Sequence, residues 1–189
     1  MYVYHMVPKK MIGNRLISLN RLKDAHEELY QEYRQKYFNH PDRPKLLEKT
    51  IPKLDCLWND VLFFLPLHPS HVYEGLKSLG IQVKQDVYFY QIPITQLQDN
   101  VNAYYMYSKE NYKGPAAPIQ DEEIEFVEPQ TYRLLESLPE DTLAYFKKEH
   151  ENGRAFGMFA YIPHLLSLGA VDISKAEVIN WSDCVEVNE

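Results

Sequence analysis

Glycine is scarce in this chain, seven residues in 189, and none of them falls into a GxGxxG or a GxxxxGK[S/T] run. A dinucleotide fingerprint and a P-loop are therefore both missing. Cysteine is rarer still: Cys56 and Cys184 stand far apart in the chain. Two such residues make neither a disulfide framework nor a zinc set. Long apolar runs are missing too, the longest, Val61 to Leu67, being too short to span a bilayer. Near the start, Pro8, Lys9 and Lys10 interrupt any stretch that could serve as a signal peptide. There is no GxSxG elbow. His26-Glu27-Glu28-Leu29-Tyr30 carries tyrosine where a zinc-protease helix needs its second histidine. The expectation is a cytoplasmic, reduced protein with no membrane partner.

Basic charge is thin. The net charge is −7, and the densest basic runs are only Lys9-Lys10 and Lys147-Lys148. A phosphate-backbone binder draws its affinity from a concentrated basic face, so nucleic acid is not an expected partner.

What is abundant is aromatic: fifteen tyrosines and eight phenylalanines, within a hydrophobic fraction of 45% and a charged fraction of 25%. That is the composition of a globular protein. A chain of this length buries roughly 70% of its unfolded surface without staples. The expectation is one α+β domain over 1–189, a mixed central β-sheet flanked by helices.

Alternating tyrosine and aliphatic residues over 2–7 read as a strand. Asn20 to Phe38 reads as one helix, with Asp24 and Glu27 as a capping box, and a short helix follows over Arg43 to Lys49. Asp60 to Leu67 has the apolar character of a strand covered on both faces. Pro69 suits the first turn of a helix that Gly80 ends, with His68 or Ser70 as its cap. Further strands are expected over 86–93, 102–107, 156–162, 176–181 and 184–187, and helices over 129–138, 139–151 and 164–168. Between them, 109–128 reads as a mobile acidic loop, and Gln120 to Glu128 holds five acids.

Few residues point to chemistry. His68 and His71 are spaced like ligands on one helical turn but lack a third, so no metal is expected. Cys56, among Leu54, Leu57 and Trp58, reads as an inert buried thiol. His5 is the more informative histidine. It sits within a strand, so its nitrogens either meet backbone or face a pocket. The clusters Tyr88/Tyr90 and Tyr104/Tyr105/Tyr107 could wall a slot for a flat ring.

The order of these features resembles the ADP-ribosyltransferase-like fold, in particular its small bacterial toxin-type branches. The resemblance covers the first half of the chain. It rests on Tyr4-His5 in the first strand, on Leu16-Ile17-Ser18-Leu19, on the strand-then-helix unit Val61 to Leu79, and on the V-x-x-x-x-I-P-x-x-x-L phrase of Val87 to Leu97. It implies NAD as cofactor, His5 holding its ribose and amide, and Tyr4, Tyr88 or Tyr90 beside the nicotinamide ring. A late-strand glutamate would stabilise the oxocarbenium-like transition state, and Glu177 is the one acid in those strands. The implied protein is a transferase or a catalytically impaired binder of a small nucleotide-like ligand. The competing expectation is a non-enzymatic module whose acidic 120–128 segment docks a basic protein partner.

Overall fold

The computed structural model describes residues 1–39 and 41–183, so Cys184 and the strand expected over 184–187 lie outside the described residues. Seven strands form the frame: β1 (Tyr2–Met6), β2 (Leu62–Phe64), β3 (Tyr88–Pro93), β4 (Val101–Tyr105), β5 (Ile124–Phe126), β6 (His164–Leu168) and β7 (Glu177–Asn180). They pair as β7-β3-β1 and as β2-β6-β4-β5, with every ladder antiparallel. Reciprocal hydrogen bonds between Tyr4 and Leu65, at 3.1 and 2.8 Å, join the two groups into one surface. Among the described residues, parallel pairing occurs only at the isolated Leu67–Leu135 bridge. Among the described residues four α-helices complete the single α+β domain: α1 (Leu19–Ala25), α2 (Glu27–Arg34), α3 (Ser70–Ser78) and α4 (Glu140–Glu151). None is long and apolar enough to cross a membrane.

Strand alternation gives this surface two faces. On the first lie Tyr4, Phe89, Leu65, Phe63, His164, Leu166, Tyr105 and Ile124, as the registers require. Two clusters cover it. One packs Val72, Tyr73 and Leu76 of α3, Phe146 of α4 and Trp181 over Tyr4 and Phe89. The other packs Ile51, Leu54 and Ile119 over Ala103, Tyr105 and Leu166. The opposite face carries Val3, Ile92, Leu62, Phe64 and Leu165, sealed by Leu16, Leu97, Tyr132 and Val171.

Several elements differ from the sequence reading. The helix expected over 20–38 is broken at His26, whose φ and ψ of −153° and 77° separate α1 from α2. His26, not Asp24, holds the cap position. Leu29 is the one buried residue of α2 and α1 has none, so little packing holds a continuous rod. Residues 164–168, expected as helix, form β6, paired with β2 on one side and β4 on the other. An apolar run that short fits either element, and its neighbours decide. Residues 156–162, expected as strand, run through turns, and 129–138, expected as helix, is turns tied to Pro66 by the Leu135 N–H at 2.6 Å. Within 109–128, Ile119 and Glu123 are buried and β5 lies at the sheet edge beside β4.

Candidate ligand-binding site

A cavity of about 450 Å³ opens on the first face where the two clusters part, above His164 of β6. That volume is within the roughly 300–1,000 Å³ usual for small-molecule sites. Rings make most of its wall. Trp58 and Phe63 lie 4.5 Å apart between centroids, and Tyr105 meets Trp58 edge-on at 5.9 Å. Tyr105 and Tyr107 are stacked at 5.4 Å, and Tyr107 meets the His164 ring at 5.8 Å. Tyr145 and Tyr161 close the far side, 5.4 Å apart.

Each wall comes from a separate element. Trp58 belongs to the turn Trp58–Asp60, held down by three bonds. The Trp58 N–H donates to the Lys49 carbonyl at 2.7 Å, and the Leu57 N–H donates to Asp60 Oδ2 at 2.7 Å. Asn20 of α1 donates to Asp60 Oδ1 at 2.8 Å. The wall from Gly157 to Tyr161 is tied to α4 by Thr142, whose buried hydroxyl donates to the Ala160 carbonyl at 2.9 Å.

Backbone strain collects here. Tyr107 and Tyr161 have φ of 45° and 60°, a region that costs a bulky residue roughly 1–2 kcal/mol. Both rings line the cavity. Such outliers persist only where surrounding structure holds them, and they gather at ligand sites.

Charge at the site has one sign. Lys49 and Arg43 line the cavity, and no aspartate or glutamate among the described residues does. The Lys49 ammonium lies 5.3 Å from the Trp58 ring centroid and 3.4 Å from the Pro115 carbonyl. Burial lowers its pKa, with Glu123 pulling the other way. Arg43 donates to the Lys36 carbonyl at 3.4 Å. Neither cation forms an ion pair with a described residue. Burial raises the pKa of Tyr105 and Tyr107, so both remain neutral phenols. Burial lowers His164 to about 4 against the backbone bond it makes to Ile162, so its ring is neutral near pH 7.

The residues singled out by sequence lie elsewhere. His5 is on the opposite face, its Nδ1 donating to the Phe63 carbonyl at 2.8 Å and its ring against Phe64. Burial lowers its pKa. Tyr90 and Tyr88 share that face; the Tyr90 hydroxyl reaches Met11 Sδ at 3.9 Å, and Tyr88 is exposed. Glu177 pairs in register with Gln91, one residue out of phase with the His5–Tyr90 pair, so it projects to the first face. There it is exposed and accepts from Gln91 at 3.3 Å. His5 and Glu177 therefore do not share a cleft. Tyr4 is buried edge-on against His68 at 5.1 Å. None of these five lines the cavity.

Of the cluster Tyr104/Tyr105/Tyr107, the last two do line it, while Tyr104 stacks on Tyr132 across the other face. His68 Nδ1 accepts from the Ser70 hydroxyl at 2.7 Å at the start of α3. Burial raises the Cys56 thiol to about 11, with Asp60 and Asp55 adding to it, so no thiolate forms near neutral pH. The sequence reading missed Trp58, Tyr161 and His164 as site residues. For Tyr161 and His164 the signal available was aromatic density around the segment bounded by Gly157 and Pro163.

No family model, no curated protein and no solved structure matches the chain.

Proposed function

We propose that this protein binds a nucleotide-like ligand in the aromatic cavity, a planar ring held between side-chain rings and a phosphate at Lys49 and Arg43. One observation carries the reading: ring walls and two cations that form no ion pair with a described residue converge on one hollow that no described carboxylate lines. A ring of aromatics can also hold a quaternary ammonium. Here the two cations oppose a cationic guest and favour an anionic one. Ring stacking supplies roughly 1–3 kcal/mol per base, and charge-assisted bonds to a phosphate add to it.

NAD, the cofactor implied by the resemblance, carries the same ring-and-phosphate chemistry and belongs among the probes. Cleavage of a glycosidic bond needs a carboxylate beside the developing positive charge. No described carboxylate lines the cavity, so the reading is of a binder, a catalytically impaired relative at most. We place it in the cytoplasm, whose reducing conditions suit the free Cys56 thiol.

Calorimetric titration at low salt with AMP, GMP, CMP, UMP and NAD, and with adenosine and inorganic phosphate alone, tests this. At least one nucleotide binds, and the matching nucleoside binds about tenfold more weakly for want of the phosphate contact. Lys49→Met removes most of that difference, and Trp58→Leu weakens nucleotide and nucleoside alike. No heat and no melting shift with any nucleotide at millimolar concentration would overturn the proposal.

A further inference from the structure

His164 is the one histidine among the described residues that line the cavity, and its two nitrogens have different fates. Nδ1 lies 2.7 Å from the Ile162 carbonyl. A carbonyl only accepts, so the proton of the neutral ring is on Nδ1. Nε2 is then a lone-pair acceptor, and it makes no hydrogen bond to any described residue. Phe63 meets the imidazole edge-on and Tyr107 meets it tilted, with ring centroids 6.4 and 5.8 Å from that of His164. His164 lines the cavity, and with Nδ1 turned to the chain, Nε2 is the ring's remaining hydrogen-bonding atom.

An acceptor fixed in this way discriminates. A ligand that places an N–H against Nε2 completes a hydrogen bond. A ligand that places a carbonyl or a bare C–H there leaves the acceptor desolvated and unpaired. Sites that demand a hydrogen bond reject the analogue lacking it far more strongly than apolar pockets reject a change of size. We infer that His164 is the specificity-determining residue of the cavity, and that it selects bases carrying an exocyclic amino group over the same bases without one. This rests on the nucleotide reading above and narrows it to amino-bearing nucleobases.

The test uses matched pairs of 5′-monophosphates: AMP against purine riboside monophosphate and GMP against IMP, each differing by one exocyclic amino group, and CMP against UMP, which exchanges the amino group for a carbonyl and places a proton on N3. Titration of the full chain should show, in the pair that binds, the amino member tighter by about tenfold. In His164→Phe that ratio falls to near one through weakened binding of the amino member, while its partner changes little. His164→Gln, which keeps an acceptor at the Nε2 position, retains the preference and guards against misreading a folding defect. Equal affinities in the wild-type pairs, or a preference that persists in His164→Phe, would overturn the inference and leave the nucleotide reading standing. Binding by no member of any pair would overturn the inference, and no binding of NAD either would overturn both.

Discussion

The rings of Tyr107 and Tyr161 meet across the cavity at 5.8 Å, and both residues sit at positive φ. They belong to segments far apart in the chain, so two independent strained backbones deliver one pair of rings. Left-handed backbone has no Cβ penalty for glycine. At these positions the usual order of small residues is therefore reversed. Tyr161→Gly should be more stable than Tyr161→Ala by about 1 kcal/mol, and the same should hold at Tyr107. At Tyr105, an ordinary strand position, glycine should be the worse of the two by about 0.5–1 kcal/mol. Urea unfolding of the six variants checks it, and the same order at all three sites would refute the strain.

Acid should weaken the fold through its neutral histidines. The pKa of His164 is about 4 when folded against 6.5 as a free side chain, and that of His5 is lowered as well. A depressed pKa means that the unfolded chain takes up the proton first. The stability is complete above about pH 6.5, falls as pH drops from there toward 4, and levels off below. The His164 share is on the order of 2 kcal/mol after allowance for its partial exposure. Across urea midpoints at pH 7, 5.5 and 4.5, wild type should lose stability relative to His164→Phe as pH falls. A constant gap across that range would count against a buried neutral imidazole.

Thr142 links stability to the site. Its hydroxyl is fully buried and donates to the Ala160 carbonyl, next to strained Tyr161. Thr142→Val keeps the shape and leaves that carbonyl without its donor, costing about 1–3 kcal/mol. Nucleotide affinity should fall several-fold because the wall is loosened, which calorimetry reads directly. Lost stability with unchanged affinity would separate the wall from the site.

Gly169 stands where a Cβ would collide with the Asn100 carboxamide. That amide donates to Ser167 Oγ at 2.9 Å and to the Ala170 carbonyl at 3.3 Å, closing the end of β6. Gly169→Ala must displace it, at a cost of about 2 kcal/mol. Gly169→Ala in an Asn100→Gly background should recover part of the loss; full additivity of the two changes would argue against the contact.

Local chemistry in the chain was enough to mark β1, the apolar strand ahead of Pro66, the Pro-started helix that ends at Gly80, and α4, because alternation, caps and breakers act over a few residues. It also placed Tyr105 and Tyr107 among candidate ring-binding residues. Residues 164–168 show where that information ends. Leu165, Leu166 and Leu168 fit a helix or a strand equally, and pairing with β2 and β4 is what made them the centre of the sheet. The site follows from the same long-range pairing. One step of register decides which face each side chain takes, so His5 and Tyr90 point away from the cavity while His164 and Tyr105 line it. Side-chain type is written along the chain; which side chains look into the same hollow depends on strands brought together from far-separated positions.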